Sequence, residues 1–167
     1  MMDMSNLCIF SYNSRGFSVD KQNFCEYLTT ISGDKIGILC NQENFLLRAN
    51  SYKIQQCLPN CHIIFKPSVK EGLHGRPKGG MFISVPEYLK ESVKDVSPPH
   101  WRVQAILVTL DTSVQLIFNL YFPTDQMTIN FNDEDLLETI AAINSVIENY
   151  VFNNVCGIQY SGFIANN

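Results

Sequence analysis

An α/β sandwich, with helices outside packed sheets, is the fold class this sequence predicts, and three observations predict it. A short apolar run near the N-terminus is followed by a turn and then by apolar residues at helical spacing, which is a βα unit. Two longer runs, 103–110 and 114–122, are joined only by Asp111-Thr112-Ser113, a connection short enough for an antiparallel hairpin. A long amphipathic helix follows them. The 167 residues are 46% hydrophobic and 17% charged, enough apolar material for one sizeable core. With no repeat, low-complexity tract or linker, residues 1–167 read as a single domain.

Each element has its own justification. Residues 7–12 are an apolar strand, closed by a turn at Ser14-Arg15-Gly16. Phe24, Tyr27, Leu28 and Ile31 then share a helical face, and Gly33-Asp34 ends that helix. Residues 36–40 form a second buried strand, and a helical segment is expected over 44–58, with Pro59 closing it. Strands at 62–66 and 80–85 flank a polar, Gly-rich loop over 71–79. In the second hairpin strand Val114, Leu116, Phe118, Leu120 and Phe122 alternate cleanly, so Asn119 and Tyr121 point to the opposite face. Leu136, Ile140, Ile143, Ile147 and Tyr150 lie on one stripe of the long helix, opened by Asn132 with Asp133, Glu134 and Asp135 at its positive end. Residues 155–160 form the last strand.

Charge and cysteine usage narrow the function classes. A net charge of −4 provides no general attraction to nucleic acid, although Lys66, Lys70, Arg76 and Lys78 gather positive charge in one stretch. That stretch reads either as a phosphate-binding patch or as a solvated loop. The six cysteines are dispersed and read mostly as reduced, buried thiols; Cys57, Cys61 and His62 lack the fourth ligand that tetrahedral zinc requires. No apolar run approaches the roughly 20 residues that cross a bilayer, and the N-terminus lacks a basic secretory region, so no membrane insertion and an intracellular location are expected.

Three polar residues stand where apolar runs end: Asn13, Glu43 and Tyr121. Open α/β sheets bind ligands outside the carboxyl ends of their strands, which makes these three the candidate site. Each also has a plainer reading. Asn13 would stabilise the turn before Gly16, Glu43 would cap the following helix, and Tyr121 would be a half-buried aromatic.

Four segments in order carry a resemblance that favours the site. Ser11-Tyr12-Asn13-Ser14-Arg15-Gly16, the strand at 38–43 ending in Gln42-Glu43, Gly79-Gly80 followed by Met81-Phe82-Ile83-Ser84-Val85, and Asn119-Leu120-Tyr121-Phe122-Pro123 resemble successive motifs of the endonuclease/exonuclease/phosphatase superfamily. Within it they are most similar to non-LTR retrotransposon endonuclease domains. The resemblance implies a DNase I-like four-layer α/β/β/α sandwich, incomplete at its C-terminal end and covering about two-thirds of a whole domain. It also implies a divalent-metal-dependent hydrolase acting on nucleic-acid phosphodiester bonds, with magnesium as cofactor. Glu43 and Asn13 would serve the metal, and Tyr121 would polarise a phosphate oxygen.

The last motif departs from that pattern. The family's Gly-Asp-Phe-Asn-like segment is matched by Ser161-Gly162-Phe163-Ile164, which has neither the acid nor the amide, and a later Asp-His segment has no counterpart before Asn167. Groups that cooperate in catalysis fail together, commonly at a cost on the order of ten-thousand-fold, so this chain alone is expected to be a poor enzyme. The competing expectations are a non-catalytic binding module using the region 66–78, and an unrelated α/β interaction domain.

Overall fold

The computed structural model describes residues 7–18, 23, 36–70, 72, 74–75, 77–111, 113–122, 134–150 and 157–163. Eight strands form two four-stranded sheets. The first sheet contains β1 (Leu7–Asn13), β2 (Ile36–Gln42), β3 (Cys61–Val69) and β4 (Lys78–Pro86), in the order β1-β2-β4-β3. The second contains β5 (Val93–Asp95), β6 (Val103–Thr109), β7 (Val114–Tyr121) and β8 (Gly157–Phe163), in sequence order. β1 runs parallel to β2, and β8 parallel to β7; the remaining pairs are antiparallel. The α-helices among the described residues are α1 (Tyr52–Cys57) and α2 (Glu134–Tyr150).

Strand alternation sorts the side chains into layers. Ile38, Cys40, Ile83, Val85, Ile106 and Ile117 fill the space between the sheets. The intervening residues face outward: Leu39 and Phe82 meet Ile54 and Leu58 of the α1 region, while Val103, Leu116, Phe118 and Leu120 meet Ile143 and Val146 of α2. Fully burying one such side chain is worth roughly 1.5–3 kcal/mol, so both faces of each sheet contribute to stability. Helix, sheet, sheet, helix is the four-layer sandwich that the sequence predicts.

Several boundaries differ from expectation, each for a local reason. The helix expected over 44–58 is broken: residues 43–47 are irregular, a 3-10 turn spans Arg48–Asn50, and α1 begins only at Tyr52. Glu43 and Phe45 have positive φ, 55° and 57°, and the Asn44 and Phe45 amides donate to the Gly80 and Gly79 carbonyls, so no helix can start there. β3 continues past Lys66 through Pro67 because it is an edge strand, where a missing N–H costs no ladder bond. A 3-10 segment at Glu87–Ser92 and the short β5 carry no periodicity that would reveal them. On α2 the buried residues are Thr139, Ile143 and Val146, while Ile140 is 40% exposed, so the buried stripe is rotated from the one predicted. β8 extends to Phe163, placing Ser161, Gly162 and Phe163 within the last strand rather than after it. The helix expected around 24–31, and Asn132 and Asp133, lie outside the described residues.

Candidate active site

Polar residues at the ends of the inward-facing rows build the site's floor. Along β2 the inward row runs Ile38, Cys40, Gln42; along β7 it runs Ile117, Asn119, Tyr121. Where the hydrophobic rows stop, Gln42 Nε2 donates to Asn119 Oδ1 at 2.6 Å, so one amide from each sheet meets in the core. Asn119 Nδ2 faces the Asn41 and Phe82 carbonyls and Gln104 Oε1, at 3.0, 3.2 and 3.1 Å. Gln104 Nε2 returns to the first sheet at the Ile64 carbonyl, 2.8 Å away. Gln42 and Asn119 are 0% exposed, so this bridge is shielded from water and its partners depend on one another.

Glu43 stands one residue past this floor. Register Asn13↔Gln42 brings the end of β1 beside it, and the Gly16 amide donates to the Glu43 carbonyl at 2.6 Å. Ser14 ties the two strand ends further, its amide and hydroxyl both donating to the Gln42 carbonyl. On the other side Asn44 and Phe45 pair with Gly80 and Gly79. The Glu43 backbone is thus clamped from two directions, which sustains a left-handed φ that a non-glycine residue rarely adopts. Glu43 does not cap the following helical turn, whose N-cap is Leu47.

Tyr121 lies beside Glu43 at this end of the sandwich, and Asn13 ends the strand paired with β2. Tyr121 interacts through hydrogen bonding with Glu43, and its hydroxyl is pushed up to about 12, first by burial and then by that carboxylate. A neutral phenol at every physiological pH is a donor, which suits it to an anionic oxygen. Asn13 serves both readings at once: its Oδ1 accepts the Arg15 amide at 3.1 Å in the turn, and its Nδ2 is buried without a partner. An orphaned donor at a strand end is a group that a ligand or ordered water satisfies.

Sequence reasoning missed the wall beside Tyr121. Trp101 packs 6.1 Å from the Tyr121 ring, centroid to centroid, and Arg102 lies 4.0 Å over the Trp101 ring and 5.2 Å over that of Tyr121. The Tyr121 amide donates to the Arg102 carbonyl, which fixes this wall to β7. Asp135, in the first turn of α2, holds the Arg102 guanidinium by an ion pair, and His100 Nε2 lies 3.9 Å from the same carboxyl group. A lone tryptophan followed by arginine just before a strand, and an amide inside the apolar run of β7, were the signals available.

Lys66 is another correction. Instead of offering charge to a phosphate, its ammonium donates to the Pro98, His100 and Val103 carbonyls at 2.6, 2.7 and 2.5 Å, stapling the loop that carries Trp101 and Arg102. Burial pulls its pKa down to about 8, against the opposing pull of Asp95.

A divalent cation has a restricted donor set here. No cluster of three or more His, Cys, Asp or Glu residues exists among the described residues. One clamped carboxylate fits magnesium nonetheless, because that ion keeps several waters and takes one or two carboxylates from a protein.

Two sheets packed face to face, with helices on both outer faces, make the DNase I-like α/β/β/α sandwich. Solved structures with this arrangement include the AP endonuclease LMAP from Leishmania major, with a TM-score of 0.68 and 13% identity over 96% of this chain and 56% of that one. The Xenopus laevis APE2 catalytic domain superimposes with a TM-score of 0.63 and 13% identity, covering 92% of this chain and 57% of its own. The 3′ phosphatase NExo from Neisseria, bound to a product DNA hairpin, gives 0.58 and 15%, covering 92% and 56%. This chain therefore spans little more than half the length of these structures. No family model and no curated protein matches the sequence. Among the described residues, no helix is long and apolar enough to cross a membrane.

Proposed function

We propose that this chain carries the metal-binding half of a phosphodiesterase site for nucleic acid, with Glu43 as the carboxylate that holds magnesium. The observation that carries the reading is Glu43 beside Tyr121, just past the carboxyl ends of β2 and β7, with the unpartnered Asn13 Nδ2 at the end of the adjoining strand β1. Bound magnesium would polarise a phosphoryl oxygen. The chain's own residues have separable tasks. Glu43 supplies the negative charge and is held in place by the clamp on its backbone, Tyr121 donates a hydrogen bond to a non-bridging oxygen, and Asn13 Nδ2 orients a water or a second oxygen. DNA bound to NExo, a protein of the same fold, supports a nucleic-acid substrate.

Hydrolysis by this chain alone is slow. No cluster of three or more His, Cys, Asp or Glu residues forms around Glu43 among the described residues, and removing members of a cooperating catalytic set commonly costs roughly 10³–10⁴-fold. The test measures nicking of supercoiled plasmid by micromolar protein in magnesium, alongside manganese binding by calorimetry. Slow nicking that stops with chelator and in Glu43→Gln, together with weakened manganese binding in that variant, is the expected result. Equal manganese affinity in wild type and Glu43→Gln would overturn the reading.

A further inference from the structure

The segment from Pro98 to Arg102 is tied to the fold differently at its base and at its crown. At the base, the Val96 amide donates to the Ala105 carbonyl, while Ser97 Oγ donates to Asp95 Oδ1 and accepts the Ala105 amide. At the crown the backbone supplies little. The His100 carbonyl takes the Val103 amide at 3.3 Å, a local turn, and the Arg102 carbonyl takes the Tyr121 amide at 3.0 Å. Side chains of other elements add the rest of the hold, and Lys66 of β3 makes the largest contribution. Its ammonium has three N–H donors, and they meet the Pro98, His100 and Val103 carbonyls at 2.6, 2.7 and 2.5 Å. Those acceptors stand at the start, middle and end of the segment, so one cation gathers all of it toward the first sheet. Drawn in this way, Trp101 reaches Gly79 of β4 so closely that a Cβ there would lie 2.7 Å from Trp101 Cε3. The same ring flanks Tyr121 at 6.1 Å, with the Arg102 guanidinium lying over both.

We propose that residues 98–102 form a strap beside the candidate site and that Lys66 is its latch: the ammonium closes the strap against Gly79 and Tyr121, and without that cation the strap lifts. The physical basis is an imbalance between the two kinds of hold. Segments with few backbone hydrogen bonds to their surroundings open at lower cost than strand interiors, so the crown is the part of this wall that can move. Hydrogen bonds from an ionised donor are roughly twice as strong as neutral ones, and three of them converge on this crown from one side chain. A half-buried ammonium is tolerated when its donors are all engaged, which ties the charge to the closed strap. Lifting would separate Trp101 and Arg102 from the Tyr121 ring and release the Tyr121 amide. The proposal does not depend on a metal at Glu43.

Trp101 is the only tryptophan in the chain, so its fluorescence reports on the strap directly. The experiment is run at pH 6.5, below the Lys66 value of about 8, where the amine keeps its proton. Lys66→Met retains an apolar stem but no donor. Its Trp101 emission is expected to shift to the red, and hydrogen exchange at the Tyr121 amide to lose protection while the Ile117 amide in the same strand keeps it. Lys66→Ala leaves the three carbonyls without their cation, and n-propylammonium, which replaces the missing atoms, is expected to restore both signals. Neutral n-propanol, of the same length, is expected not to. Lys70→Met removes an exposed charge just beyond the same strand and should change neither signal. Unchanged emission and Tyr121 protection in Lys66→Met, an equal response to Lys70→Met, or restoration of Lys66→Ala by propanol or by neither compound would overturn the proposal. Should Lys66→Ala fail to fold, the comparison of Lys66→Met with Lys70→Met decides alone.

Discussion

At the residue scale, a few unusual backbone conformations set the geometry of the candidate site. Glu43 and Phe45 are left-handed, and the strand they lean on, β4, carries Gly79 and Gly80 at φ 71° and 82° just after its first residue. Gly80 has no room for a side chain. A Cβ there would lie 2.5 Å from Asn44 Oδ1 and 3.1 Å from the Phe45 amide nitrogen, and Asn44 Oδ1 is committed to the Leu46 amide at 3.0 Å. Gly80→Ala is therefore expected to destabilise the protein by about 2–4 kcal/mol, combining backbone strain with overpacking. Gly72 provides the comparison, since its φ is also positive, 74°, but nothing lies within 4 Å of a Cβ. Gly72→Ala should cost only the strain, about 1 kcal/mol. Urea unfolding of both variants checks the difference; equal losses would mean that the Gly80–Asn44 contact yields without cost. Because the same contact clamps the residue after Glu43, manganese affinity should fall in Gly80→Ala and not in Gly72→Ala.

At the scale of elements, the segment between β5 and β6 links α2 to the site. His100 accepts the Arg102 amide at Nδ1, 3.4 Å away, so the neutral ring carries its proton on Nε2, toward Asp135 and Glu138. Its pKa is lowered from 6.5, chiefly by burial and further by Arg102 and Lys66, against the raising pull of Asp135 and Glu138. A depressed folded-state value means that folding favours the neutral ring. Stability from this group is present above pH 6.5 and is lost as pH falls through the lower folded value. The urea midpoint is expected to drop between pH 7.5 and 5, and to drop less in His100→Gln; parallel profiles would exclude His100 as the cause. None of this wiring was legible in the chain. Pro98-Pro99-His100-Trp101-Arg102 has no period, and its carboxylate partner lies 33 positions away, at Asp135. The strands were legible because alternation is local, as in β7, and Glu43, Asn13 and Tyr121 stood out because each ended an apolar run. The expected helix after Glu43 was misjudged because pairing with Gly79 and Gly80, far along the chain, overrides local helix propensity.

At the scale of the molecule, the sandwich joins its sheets by two different means: an apolar interior along most of the strands, and the amide bridge of Gln42, Asn119 and Gln104 at the site end. Apolar contacts tolerate small slides of one sheet over the other, whereas hydrogen bonds fix register. The bridge therefore sets where Tyr121, two residues beyond Asn119, meets Glu43, one residue beyond Gln42. Asn119→Ala would take the side-chain donor away from Gln104 Oε1 and from the Asn41 and Phe82 carbonyls, and would cut the Gln42 bond between the sheets, in a site that is nearly closed to water, although Gln42 Nε2 keeps Ser11 Oγ and the Cys40 carbonyl. Orphaned buried groups cost about 1–3 kcal/mol each before relaxation, so a total loss of about 3–5 kcal/mol is expected. Gln104→Ala removes one arm of the bridge while leaving the Gln42–Asn119 contact between the sheets, and about half that loss should follow. If register is what the bridge provides, Asn119→Ala will weaken manganese binding more than Gln104→Ala does when both are measured well below their unfolding transitions. Unchanged manganese affinity in a folded Asn119→Ala would instead mean that the apolar core alone aligns the two sheets.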